Sequence, residues 1–136
     1  MNLGFYYHIP VIPTLSGIKI PAYLGVFLNS LAEEVTTLTL FMHESRNNED
    51  VTTNYLLSKD NIKFVSLGQK TPAWHRFIRP GKILDPVRSE IEKCDVILVR
   101  APSPLAPIFY FKFHNLVKIS YLVVGDYIDD SKHINQ

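Results

Sequence analysis

An α/β fold is predicted, three layers in αβα order around a mostly parallel five-stranded sheet. Two observations carry the prediction. Five short apolar runs lie along the chain, and their apolar residues are nearly continuous rather than alternating, as in strands buried on both faces. Helical patterns intervene after the first, third and fourth runs, which lets the strands on either side run parallel. The chain has 136 residues, the length of one domain. An apolar share of 46% supplies a core, and a charged share of 20% is ordinary for a globular chain.

Residues 3–9 read as a buried strand, apolar and aromatic and closed by Pro10. Residues 10–19 read as a loop, with two prolines, a Ser-Gly pair and almost no charge. Pro21 suits the first turn of a helix, where its missing N–H costs nothing. Leu24, Phe27, Leu28 and Leu31 then share one face of that helix, which ends at Glu33 and Glu34, against the helix dipole. Residues 35–42 form a second strand rich in β-branched side chains. A polar loop precedes a third strand at 62–68. Asp85 can cap a helix that starts at Pro86 and runs to about Lys93. Residues 95–102 give a fourth strand. Ser103 can cap a third helix, with Pro104 in its first position and an end near Asn115. Residues 118–127 give a fifth strand, followed by a polar tail.

This order is Rossmann-like. It puts the first strand near the centre of the sheet and a topological switch between the first and fourth strands. Ligands of such sheets bind beyond the carboxyl ends of the strands, which brings residues 7–17, 100–104 and 125–127 to one rim.

Bulk properties narrow the function. A formal charge of +1 gives no field to steer the chain toward nucleic acid. One cysteine, Cys94, excludes an internal disulfide and a CxxC metal site, and is expected to be buried and inert. His43 and Glu44 lack a third ligand, so no metal site is expected. No GxGxxG follows the first strand, so NAD and FAD are not expected as cofactors. No Walker lysine motif or nucleophile–base pair is present. No secretory signal or spanning run is visible, and a cytoplasmic chain is expected.

Several residues carry a functional and a plain reading side by side. His8, at the end of the first strand, can contact an acceptor or simply bond to backbone. Gly17 permits close approach to a ligand or only a turn. Arg100 breaks an apolar strand where the rim begins, and its charge needs a ligand or a neighbouring carboxylate such as Asp126. Asp126 and Tyr127 can touch ligand or serve the local turn. Trp74, His75, Arg76, Phe77 and Arg79 mix rings with cations, which suits sugars, lipid phosphates or a membrane surface, or else a solvated loop. Residues 105–116 form a helix apolar almost all round, so a second domain or second copy is expected over one face unless the core takes it all.

Four stretches together resemble one family: "GFYYHIP" with "SGIKIPAYLGVFLNSLAE", "TLTLFMHES", "CDVILVRAPSP" and "KISYLVVGDY". In their order and spacing they resemble the N-terminal half of GT-B glycosyltransferases of the retaining group called glycosyltransferase family 4, over nearly the whole chain. In that family two Rossmann-like domains face each other across a cleft. The C-terminal domain holds most of the nucleotide-sugar, and the N-terminal domain shapes the acceptor side. The resemblance implies transfer of a hexose to a glycan or lipid-linked acceptor without a metal. It implies that Ser16 and Gly17 approach the donor diphosphate through backbone N–H groups. It also implies that His8, Arg100, Ser103, Asp126 and Tyr127 line the cleft.

Two departures stand out. The histidine that many members carry after the fourth strand is replaced by Arg100-Ala101-Pro102-Ser103, so that histidine's role does not transfer. The acidic pair used for the donor belongs to a second domain outside these residues. The chain is therefore expected to be one half of an enzyme, inactive alone, whose partner is the C-terminal domain or a second subunit, with possible contact at the inner face of a membrane. The alternative is a stand-alone Rossmann-like binding module that docks on a catalytic partner.

Overall fold

In chain order the elements are β1 (Asn2–Tyr6), β2 (Ile12–Thr14), β3 (Gly17–Ile20), α1 (Ala22–Glu33), β4 (Thr37–Glu44), β5 (Tyr55–Leu57) and β6 (Ile62–Gln69). A 3-10 turn (Asp85–Val87), α2 (Arg88–Glu92), β7 (Val96–Ala101), α3 (Ala106–Phe113) and β8 (Lys118–Val123) follow. The computed structural model describes residues 1–45, 53–69 and 83–124.

Five strands form one sheet in the order β6-β4-β1-β7-β8, and every neighbouring pair is parallel. The predicted three-layer α/β arrangement is present, with β1 at the centre. Successive side chains of a strand point to opposite faces, so each strand feeds two cores. Leu3, Phe5, Leu38, Leu40 and Met42 meet Leu24 and Leu28 of α1 on one face. Tyr6, Phe41, Ile97 and Val99 meet Ile91, Phe109 and Phe113 on the other. Burial on both faces is why the strands read as unbroken apolar runs.

The face of α1 is close to the predicted one. Leu24, Leu28 and Ala32 are buried, while Phe27 and Leu31 pack half-buried at its margin. The Phe27 ring lies 5.9 Å from that of Phe5. The end of the helix is compensated from outside. Asn61 Nδ2 donates to the Ala32 carbonyl at 2.7 Å and to that of Val35 at 3.3 Å, supplying a partner to backbone acceptors that the helix leaves open. Glu33, set against the dipole, pairs with Lys59 at 2.9 Å.

The loop expected over residues 10–19 is instead a hairpin. β2 and β3 pair antiparallel, with Thr14 opposite Gly17 across the two-residue turn Leu15-Ser16. β5 adds to β3, making a second sheet of order β2-β3-β5. Ile18, Ile20 and Leu57 bury into the α1-side core. Pro13 is accommodated because β2 is an edge strand and one side of its backbone needs no partner. The Tyr55 ring packs against the bare Cα of Gly25, and its hydroxyl accepts from Asn29 Nδ2 at 2.7 Å, so β5 is clamped onto α1. The root of the hairpin joins the main sheet: the Val11 N–H donates to the His43 carbonyl at 2.9 Å, and the Ser45 N–H donates to that of Val11 at 2.8 Å.

Two expected caps are not made by side chains. Leu105, not Ser103, stands at the N-cap of α3, and Ser103 contributes its carbonyl, which accepts from the Ala106 N–H at 3.2 Å. The Asp85 side chain makes no cap bond and pairs with Lys112 of α3 at 2.7 Å instead. α3 buries Ala106, Phe109 and Phe113, and leaves Tyr110 48% and Phe111 74% exposed. The Tyr121 hydroxyl of β8 donates to the Ala106 carbonyl at 2.6 Å and ties the start of α3 to the sheet edge. No helix among the described residues is long and apolar enough to cross a membrane.

Candidate functional site

The carboxyl ends of β1 and β7 lie side by side at the switch point, where the chain leaves one strand for α1 and the other for α3. Arg100, the penultimate residue of β7, stands in register with Leu122 of β8. Its guanidinium carbon lies 4.4 Å from the centre of the Tyr7 ring and 5.6 Å from that of Tyr23. Each such contact is worth roughly 0.5–1 kcal/mol at a partly exposed site. The peptide between Ala101 and Pro102 is cis, and the Val124 N–H donates to the Ala101 carbonyl at 3.0 Å.

Arg100 takes part in none of the ion pairs among the described residues. Its Nε is buried without a hydrogen-bond partner there, and so is the hydroxyl of Ser103. Asp126, the carboxylate expected beside Arg100, lies outside the described residues, as do Tyr127 and the 74–79 stretch. The positive charge is thus met by two aromatic faces and by no described acid. Partial burial and the nearby Tyr7 push the Tyr23 hydroxyl up from its ordinary range, against the pull of Arg100. Tyr23 therefore stays a neutral phenol at neutral pH.

Arg100, Tyr23, Phe27, Leu122 and Val124 line a cleft of about 170 Å³. Among these described lining residues the one charged group is the guanidinium, and the others are aromatic or aliphatic. His8 lies in the bend after β1, which ends three residues earlier than expected, and its ring meets the Tyr7 ring edge-on at 4.5 Å. His8 and Ser103 flank this rim in the chain without lining the cleft. Tyr23 escaped the sequence reading. The available signal was its place off the buried stripe of α1, on the side that α1 turns away from its core.

Ser16 and Gly17 are not brought to Arg100. They line a separate pocket of about 330 Å³ with Thr14, Leu57, Lys59 and Phe64. The Ser16 N–H is already engaged: it donates to Thr14 Oγ1 at 3.3 Å, while that hydroxyl donates to the Gly17 carbonyl at 2.7 Å. Gly17, at φ 147°, is held for the hairpin, because a Cβ there would strike the Leu57 carbonyl oxygen.

Elsewhere the chemistry is quiet. His43 is buried within β4, and the neighbouring Glu44 carboxylate accepts from the Ser66 hydroxyl. Among the described residues no group of three or more His, Cys, Asp or Glu side chains could hold a metal ion. Cys94 sits at the opposite end of the sheet, donating to the Glu90 carbonyl at 3.6 Å. Burial first, then the charges of Asp95 and Glu90, push its thiol up to about 11. Native Cys94 is expected to alkylate with iodoacetamide at pH 8 about a hundredfold more slowly than in the denatured chain, because the thiolate is the nucleophile. Mass spectrometry of labelling against time checks this, and equal rates in both states would refute it.

Compared with protein-family models, curated proteins and solved structures, the chain matches none.

Proposed function

We propose that this chain is the acceptor-side domain of a two-domain GT-B glycosyltransferase, which moves a hexose from a nucleotide-sugar to a glycan or lipid-linked acceptor. The reading rests on the family resemblance of the sequence. One observation supports it most: a cation without a described acidic partner stands at the switch point of an all-parallel sheet, where such folds bind ligand. Transfer from a nucleotide-sugar builds negative charge on the leaving diphosphate, and fixed basic groups and backbone N–H donors offset it. On this reading Arg100 faces the space between the two domains with Ser103 and His8 on the rim beside it, and a second domain supplies most of the donor contacts. Ser16 and Gly17 line a pocket apart from Arg100, and the Ser16 N–H is engaged within its own hairpin.

The test compares this chain with the product of its complete reading frame, each incubated with labelled UDP- and GDP-hexoses. Turnover by the longer protein, with neither turnover nor thermal stabilisation in the 136-residue chain, is the expected result. Tight nucleotide-sugar binding by this chain alone would move the donor site here and overturn the assignment. A longer protein that lacks turnover and a second Rossmann-like domain would favour a binding module docking on a catalytic partner. The exposed Phe111 on α3 favours that second reading.

A further inference from the structure

We propose that the Arg100 cleft is a binding subsite for a phosphate or carboxylate borne on a small apolar or aromatic body. A guanidinium presents several N–H donors in a planar fork, shaped for two oxygens of one anion. In folded chains a half-buried arginine at a strand end is ordinarily met by a carboxylate. Here the described ion pairs use Lys59, Lys63, Arg88, Lys93 and Lys112, and leave Arg100 to the tyrosine rings. Ring faces hold a guanidinium in place without consuming its N–H groups, so the Arg100 fork is oriented and still able to donate. Its buried Nε finds no acceptor among the described residues, a cost that an anion seated there would remove.

The rest of the cleft sets what the anion is attached to. Phe27, Leu122 and Val124 offer no hydrogen-bonding side chain, and Tyr23 offers a ring and a neutral hydroxyl. A volume of about 170 Å³ is close to what a single benzene ring occupies in an apolar cavity, so the body is small or only its end is held. No acidic side chain is among the described lining residues to repel the anion. The inference does not need the transferase reading: binding at this cleft can be measured with no donor sugar and no turnover.

The probes are phenyl phosphate, benzoate, inorganic phosphate and phenol, titrated into the 136-residue chain and followed by amide chemical shifts. Phenyl phosphate or benzoate is expected to shift Arg100, Tyr23 and Val124 together and to bind at least about tenfold tighter than inorganic phosphate or phenol. Arg100→Gln should weaken it about tenfold or more, the usual loss when one charged hydrogen-bonding partner is removed. Arg100→Lys should recover only part, because it keeps the charge and loses the fork. Val124→Ser should weaken phenyl phosphate and leave inorganic phosphate unchanged. It also serves as the check should Arg100→Gln fail to fold. No saturable shift in the native chain, or binding that survives Arg100→Gln, overturns the proposal. Whichever probe binds more tightly settles whether the anion is phosphate or carboxylate.

Discussion

Phe109→Ala is expected to lower stability by about 3–5 kcal/mol, the range for deleting a fully buried aromatic ring. Phe109 is fully buried, with its ring centre 4.7 Å from that of Tyr6 and 6.0 Å from that of Phe113. It is the main link between α3 and the central strand. The helix spans eight residues, too few to stand without that link. Its void cannot collapse readily, because Tyr6 is held in β1 and Phe113 sits one turn further along α3 itself. Phe111→Ala, two residues on and 74% exposed, should change stability by less than about 0.5 kcal/mol. Urea denaturation of the two variants checks the pair. Similar midpoints would mean that α3 does not dock as described.

Gly17→Ala is expected to cost about 2–3 kcal/mol. Two effects act together. A φ of 147° is one that side chains with a Cβ rarely adopt, which alone costs of order 1–3 kcal/mol. The new methyl would also meet the Leu57 carbonyl oxygen, a backbone atom fixed by the β3–β5 pairing that cannot step aside as a side-chain tip would. The hairpin should then loosen from β5. Ser16→Ala at the neighbouring turn position keeps the backbone geometry and should stay within about 0.5 kcal/mol. The comparison separates backbone strain from loss of polar surface, and equal effects would sink the account.

The five strands of the main sheet could be read because burial on both faces leaves long apolar runs. Their order followed because helices between strands permit few topologies. The hairpin was missed for a physical reason. β2 and β5 are three residues each, the turn Leu15-Ser16 carries no Asn-Gly or Asp-Gly signal, and Pro13 argues against a strand. The alternation of Ile18, Lys19 and Ile20 was the one trace of it. Arg100 was legible as a charge that interrupts an apolar strand. Its partners were not, because Tyr7 and Tyr23 are far apart in sequence and an aromatic residue beside a strand or in a helix reads as core. Ser16 and Gly17 read as ligand contacts in a loop, and the hairpin gives both a structural part in the turn as well.

The two bonds that Val11 makes with the end of β4 have a wider meaning. They weld the segment leaving β1 to one neighbour, so on that side the carboxyl end of the sheet is roofed by main chain. Swinging the hairpin outward would break both bonds and pull buried Val11 into water, which makes it an unsuitable gate. Toward β7 no such weld exists among the described residues, and that side is walled by side chains: Arg100, Tyr23, Phe27. Among the described residues this rim is therefore closed by main chain on one side and by side chains on the other, so point substitution can reshape the second side while the frame around it stays still.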